Sequence, residues 1–266
     1  MKKILFFFTT VIAFTSCSSD SDADVPPTTL QKVVFYRDSP NERQWNFNNG
    51  LLTNITLADG SVAEEFTYDT LNRLISDTKY SSGSVIGTDI ITYNADNTIN
   101  TINGLPYSYN AATRTYTYTY GGSFTINSQV NSDFLVENFV RTGTDAGEFH
   151  MTYAGGNMTS FEKSTSGTTE VIKNFHFDGA FGANPIYNAV KAVARVKSLT
   201  DPSFFIDSQV SMTMADGFDK GSTDPYYYNY GAIVNMEETL FEVGIEVLDS
   251  SNNFVEFYSF ADYYYE

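Results

Sequence analysis

Imidazole and thiol groups, which serve as general bases, nucleophiles and metal ligands, are few in this chain of 266 residues. There are two histidines, His150 and His176, and one cysteine, Cys17. A Ser-His-Asp arrangement would have to use one of the two histidines, yet each lies in an aromatic run typical of a strand on a sheet face. No phosphate-binding loop, dinucleotide fingerprint, His-Glu-x-x-His pair or nucleophile elbow occurs. We therefore predict structural histidines and no cofactor.

Carboxylates, in contrast, are abundant: 32 Asp and Glu face 15 Lys and Arg, which gives a formal net charge of −17. That charge repels phosphate backbones and argues against nucleic-acid binding. Glycoside hydrolysis needs only two suitably spaced carboxylates, so a carboxylate-dependent glycoside hydrolase stays open. In the loop 216–224, Asp216, Asp219 and Asp224 could offer oxygen ligands to calcium. The alternative is a solvated turn, which is favoured because Lys220 lies inside the loop and no Glu closes it.

Tyrosine is the other residue type whose spacing points to binding. Tyr116, Tyr118 and Tyr120 alternate with threonines, so their rings are expected to project from one face of a strand. Rings about 7 Å apart would form a flat platform with polar rims that suits stacking against sugars. The alternative is that these rings pair with aromatic residues on neighbouring strands and stabilise the sheet.

The body of the chain reads as many short strands. From Val33 onward, runs rich in Thr, Tyr, Phe, Val and Ile are separated by Gly, Asn, Asp and Ser. The connections are too short for the crossovers that parallel pairing needs, so the pattern predicts an antiparallel meander of hairpins. We expect an all-β fold whose sheet is elongated, curled or barrel-like. One segment, about 186–199, has apolar residues at helical spacing between Pro185 and Pro202 and predicts a single short helix.

The chain begins with a segment typical of export. Lys2 and Lys3 precede an apolar run over residues 4–14, which is too short to span a bilayer and fits a secretory signal. Small residues then lead into Cys17, an ending that resembles a bacterial lipoprotein signal. The resemblance implies a signal peptide over residues 1–16, lipid attachment at Cys17 and an anchor in the outer membrane.

An acidic, Ser-rich stretch follows and predicts a flexible tether over residues 17–30. The acidic run also resembles the export tag of surface lipoproteins in Bacteroidetes-type bacteria, which implies exposure on the cell surface; the alternative is a plain spacer. We expect residues 31–266 to form a single β-rich domain. Within it, a repeat region covers about 46–187 and a C-terminal hairpin covers about 238–264.

A short motif recurs in the repeat region: an aromatic residue, a turn of Asn, Asp or Gly, and then Leu or Ile. The copies start at Phe47, Tyr68, Tyr93, Tyr109, Tyr153 and Phe177. The long interval between the fourth and fifth copies leaves room for a degenerate copy near 130–139. Each unit is one hairpin that cannot bury its apolar face alone, so stacked units are expected to share one apolar surface.

This pattern resembles a degenerate YD-type (RHS-like) repeat, and more closely the surface lipoproteins of Bacteroidetes that carry such hairpins behind a lipoprotein signal. The Phe-His-Phe-Asp-Gly run at 175–179, followed by Asn-Pro-Ile-Tyr at 184–187, is similar to the segment that closes those repeats. The resemblance implies a fold and a location, and it supplies no activity and no site residues.

Together these observations favour a lipid-anchored protein of the cell envelope that acts as a non-catalytic binding or interaction module. Its expected partners are the membrane, through the anchor, and a carbohydrate or another envelope protein. Two alternatives stay open: a structural envelope scaffold without a small-molecule ligand, and the carboxylate-dependent hydrolase.

Overall fold

The computed structural model describes residues 29–144, 146–165, 167–177, 183–202, 211, 214–221, 224–235 and 240–265. The predicted signal peptide, Cys17 and all but the last two residues of the predicted tether lie outside the described residues. In the described part of the chain, no helix has the length and apolar character needed to cross a membrane.

The described residues form nineteen β-strands and one α-helix. In chain order these are β1 (Leu30–Phe35), β2 (Arg43–Asn48), β3 (Leu51–Leu57), β4 (Val62–Tyr68), β5 (Leu74–Ser81), β6 (Ser84–Tyr93), β7 (Ile99–Ile102), β8 (Leu105–Pro106), β9 (Ser108–Asn110), β10 (Thr115–Tyr120), β11 (Phe124–Val130), β12 (Val136–Gly143), β13 (Gly147–Ala154), β14 (Asn157–Thr165), β15 (Thr168–His176), α1 (Tyr187–Lys197), β16 (Gly217–Asp219), β17 (Tyr227–Asn235), β18 (Leu240–Leu248) and β19 (Phe254–Tyr265).

The strands follow one another round a single antiparallel sheet, which confirms the predicted all-β meander. β1 pairs with β2 on one side and with β19 on the other, so that Val33 lies opposite both Trp45 and Tyr263. This pairing curls the sheet into a barrel shape. In two places the strands are short and few residues are paired. β8 and β9 are short strands separated by Tyr107, and the three-residue β16 pairs with β15 on one side and β17 on the other.

The helix confirms the prediction of one short helix near 186–199. Most of its apolar residues are buried, and they belong to the same core as inward-facing strand residues such as Leu52 and Leu74. The helix packs against β3 and β5. Arg195 and Lys197 lie in its last turn, where positive charge interacts favourably with the C-terminal end of a helix dipole.

The hairpins β4–β5 and β6–β7 share one kind of turn. In the first, the Asp69 N–H donates to the Arg73 carbonyl and the Asn72 N–H donates to the Asp69 carbonyl, both at 3.0 Å. The fourth turn residue has a left-handed backbone, with φ of 58° at Asn72 and 67° at Asn97. Asparagine adopts this conformation more readily than most residues, which explains its recurrence in the motif.

The same turn occurs where the sequence predicts a degenerate copy, near 130–139. The Asn131 N–H donates to the Leu135 carbonyl at 2.8 Å, and Phe134 takes the left-handed position with φ of 63°. The Asn131 side chain also accepts the Leu135 N–H at 3.0 Å. An aromatic residue stands here where the β4–β5 and β6–β7 turns have asparagine, and the side-chain bond of Asn131 still fixes the turn.

Five hairpins of the series, β2–β3, β4–β5, β6–β7, β11–β12 and β13–β14, each contain one register shift between their strands. The extra residue changes which side chains face inward, so each copy buries a residue and the one three positions later. The buried pairs are Leu52 and Ile55, Leu74 and Asp77, Ile99 and Ile102, Val136 and Phe139, and Met158 and Phe161. Four copies place an apolar residue at the second position, and one places an aspartate there.

A hydrogen bond also recurs from copy to copy. In three copies the tyrosine hydroxyl donates to a backbone carbonyl of the hairpin before it. The three bonds are Tyr68 to Leu52 at 2.5 Å, Tyr93 to Leu74 at 2.8 Å and Tyr153 to Val136 at 3.3 Å. The tyrosines thus tie each of these hairpins to its predecessor through partly buried hydrogen bonds.

Candidate functional site

An open cleft lies between the C-terminal half of α1 and the turns of the β4–β5 and β6–β7 hairpins. The space between these elements, including the open solvent at its mouth, is about 470 Å³. Its walls combine apolar, aromatic, amide and guanidinium groups. They are formed by Leu71, Asn72, Arg73, Leu74, Tyr93, Asn97, Ile99, Tyr116, Phe134, Ala192, Arg195 and Val196.

Arg73 is held in the cleft by the turn that precedes it. The Asp69 carboxylate accepts the Arg73 N–H at 3.0 Å and its guanidinium at 2.6 and 2.7 Å. Partial burial acts to raise the pKa of Asp69, but these bonds outweigh it and hold the pKa below its ordinary value. Arg73 also donates to the Asn97 side-chain oxygen at 2.9 Å and lies 4.5 Å from the centre of the Tyr93 ring. Its positive charge is therefore already balanced by Asp69.

Arg195 reaches the same cleft from α1, and its charge is not balanced in this way. Its guanidinium lies 4.5 Å from the centre of the Phe134 ring. Among the described residues, no carboxylate lies within 4.0 Å of it, and the side chain is half-buried. Partial burial strengthens the attraction of this cation for an anion, because the surroundings screen charge less than bulk water does.

Tyr116, the first tyrosine of the predicted platform, lies in the wall of the cleft and is only 3% exposed. Its hydroxyl oxygen accepts the Ile99 N–H at 3.2 Å. In the described part of the chain no acceptor is recorded for the hydroxyl proton, so the group is free to donate. Burial raises the pKa of Tyr116 and keeps the hydroxyl protonated at neutral pH.

The other two predicted platform residues lie farther along β10, toward the rim of the sheet. Tyr118 stacks on Tyr107 with ring centres 4.8 Å apart, and Tyr120 stacks on Phe124 at 5.4 Å. Of the three tyrosines only Tyr120 is largely exposed, at 50%. The three rings therefore do not form one open row: they pair across strands, which is the alternative considered above, and Tyr116 alone lines the cleft.

The three aspartates predicted as calcium ligands are not brought together. Asp219 accepts from His176 Nε2 at 3.0 Å, and Asp224 lies 3.6 Å from the Lys220 ammonium. Asp216 uses its backbone N–H to donate to the His176 carbonyl at 2.8 Å. Within the described ranges, no three His, Cys, Asp or Glu side chains are grouped closely enough to hold a metal. Calcium binding by this loop stays the less favoured hypothesis beside a solvated turn.

Both histidines lie on strands. His150 is on β13 with Nδ1 2.7 Å from the Asn138 side-chain oxygen, and His176 ends β15 beside Asp219. Their ring nitrogens thus contact amide and carboxylate groups of neighbouring strands.

A second polar cavity flanks the end of α1 and was not expected from the sequence. It is lined in part by Asp77, Lys79, Asp89 and Lys197. The Lys197 ammonium contacts the Glu64 carboxylate and lies 3.4 Å from Asp77. Asp77 is 3% exposed, and burial raises its pKa to about 7. A comparison of the five repeat copies could have predicted this buried charge, since Asp77 occupies a position that is apolar in the other four copies.

Sequence similarity to a known protein family covers only part of the chain. The RHS Repeat family model matches residues 48–85, from the end of β2 to the start of β6. No curated protein matches the chain.

Among the solved structures that match this chain are two porin-like proteins, both with low sequence identity. A porin-like protein from Bacteroides uniformis has a TM-score of 0.45 and 11% identity, over 91% of this chain and 99% of that chain. A porin-like protein from Bacteroides vulgatus has a TM-score of 0.29 and 11% identity, over 72% of this chain and 98% of that chain. The family match supports the RHS-like repeat for residues 48–85.

Proposed function

We propose that this protein is a non-catalytic binding module of the cell envelope and that it binds a carbohydrate in the cleft beside α1. The observation that carries the proposal is a pair of hydrogen-bond donors in the cleft, the Arg195 guanidinium and the Tyr116 hydroxyl. Neither group donates to an acceptor among the described residues. Binding sites are commonly concave and largely apolar, with a few convergent polar groups that fix the ligand. The rings of Tyr93 and Phe134 also line the cleft, and they support the guanidinium groups of Arg73 and Arg195.

The location forms a second part of the proposal. The basic start, the short apolar run and Cys17 support acylation of that cysteine, with residues 17–30 as a tether that holds the domain at the outer-membrane surface. Globomycin, which inhibits the lipoprotein signal peptidase, should make the precursor accumulate, and Cys17→Ala should release the protein from the membrane fraction. A mature band that globomycin leaves unchanged would reject the anchor.

The binding function is tested with a glycan array. Full-length protein should bind a subset of glycans and leave them chemically unchanged, and Ala192→Trp, which fills the cleft, should abolish binding. Ala154→Trp is the matched control, because Ala154 is exposed at the end of β13 and does not line the cleft. If the wild-type protein binds no glycan at high concentration, the scaffold alternative is favoured.

A further inference from the structure

We infer that the sugar bound by this cleft is acidic and carries one carboxylate, as a hexuronate unit does; the inference rests on the proposed function. It begins with the charges in the cleft. Arg73 is paired with Asp69 at 2.6 Å, whereas Arg195 has no carboxylate within 4.0 Å among the described residues. The cleft therefore presents one unbalanced positive charge in a chain whose net charge is −17.

The orientation of Arg195 suits a carboxylate. The guanidinium lies over the Phe134 ring, with 4.5 Å between the guanidinium carbon and the ring centre. Stacking of this kind leaves the N–H groups at the edge of the guanidinium plane available, and two of them match the two oxygens of a carboxylate. The Tyr116 hydroxyl supplies one further donor within the same wall.

The number of charges favours a singly charged ligand over a phosphate. Asp69 and Arg73 cancel each other, and Asp96 lies in the neighbouring turn, where its carboxylate accepts from Thr98 at 2.6 and 3.0 Å. A phosphate monoester would bring close to two negative charges into this setting. A carboxylate brings one, which Arg195 can balance.

The rim of the cleft favours a sugar over the C-terminus of a peptide. Asn97 accepts from Arg73 through its oxygen, and within the described part no acceptor is recorded for its NH2 group. The side-chain amide of Asn72 also makes no hydrogen bond to another described residue. Side-chain amides both donate and accept, as sugar hydroxyls do.

The test compares four probes by calorimetry with the full-length protein in detergent. They are a trisaccharide of two galactose units and one galacturonate, its methyl ester, the neutral trigalactose and a tripeptide with a free carboxylate. We expect the acid to bind at least about tenfold more tightly than the ester, because a charge-assisted hydrogen bond is lost on esterification. Arg195→Gln should remove that difference, whereas Arg195→Lys, which retains the charge, should keep part of it.

Arg141→Gln is the matched control, since Arg141 also lies over a phenylalanine ring, 4.1 Å from the centre of Phe124, but does not line the cleft. It should leave the preference for the acid unchanged. Equal affinity for acid and ester overturns this inference and leaves the proposed glycan binding standing. A tripeptide that binds as tightly as the singly acidic trisaccharide overturns the assignment to a sugar. Absence of binding to all three sugars, together with an empty glycan array, overturns the proposed function itself.

Discussion

The recurring tyrosine-to-carbonyl bond can be tested by removing single oxygen atoms. Tyr68→Phe, Tyr93→Phe and Tyr153→Phe each delete one hydroxyl that donates to a carbonyl of the preceding hairpin. Burial raises the pKa of Tyr93 to about 12 and raises those of Tyr68 and Tyr153 as well, so all three hydroxyls are protonated donors at neutral pH. Each substitution keeps the ring and therefore leaves the packing largely intact.

The expected loss follows from the net value of a hydrogen bond. Each single substitution should lower the free energy of unfolding by about 1 kcal/mol, because the carbonyl loses its partner in a buried setting. For a domain of this size, that loss lowers the melting temperature by about 2–4 °C. The three bonds lie in different hairpins, so the triple variant should lose about 3 kcal/mol if the effects add.

The measurement is urea unfolding followed by tryptophan fluorescence, with thermal melting as a second assay. Tyr120→Phe is the matched control: this ring is 50% exposed, and in the described residues its hydroxyl has no recorded hydrogen bond. The control should match the wild type within experimental error. If Tyr120→Phe costs as much as Tyr93→Phe, or if the triple variant melts with the wild type, the bonds do not stabilise the hairpin series as argued.

Three further outcomes are expected. Because burial raises the pKa of Asp77 to about 7 from 3.8, its contribution to stability is full below about pH 4 and is lost as the pH rises through 7. Asp77→Asn should therefore flatten the pH dependence of the melting temperature and stabilise the protein by about 1–4 kcal/mol at pH 8; a variant less stable than the wild type at that pH would contradict this. Leu52→Ala, at a fully buried position, should cost about 2–5 kcal/mol in urea unfolding, whereas Leu71→Ala, at a position 65% exposed, should cost less than about 0.5 kcal/mol. Calorimetric titration with millimolar calcium should give no heat, because the Asp219 carboxylate already accepts from His176; a saturable heat that Asp219→Asn removes would establish the site instead.

The fold was predictable because its signals are local. Asparagine and glycine mark the turns through their tolerance of a left-handed backbone, and the alternating strands mark the hairpins. Even the degenerate turn at Asn131 could be placed, since the interval between better copies required it. Whether the sheet closes could not be predicted from the sequence, because closure depends on the pairing of β1 with β19. These two strands lie far apart in the sequence.

The site was less predictable, and the register shifts explain why. Strict alternation would not place Leu74 and Asp77 on the same side of β5, yet the shift between Thr67 and Tyr68 brings both inside. A tyrosine row likewise looks uniform in sequence, while the course of β10 from core to rim separates Tyr116 from Tyr120. Arg195 could be placed on a helix, but the strands that this helix faces depend on the closure of the sheet.

Because β1 pairs with β19, the order of the strands round the sheet does not depend on where the chain begins. Leu30 lies opposite Tyr265, so a short linker could join these two positions. A circularly permuted chain could then begin at Gly83, in the exposed turn between β5 and β6, and would keep every described strand pair. In that chain the two turns that form the mouth of the cleft would come from opposite ends of the sequence and would meet through strand pairing alone.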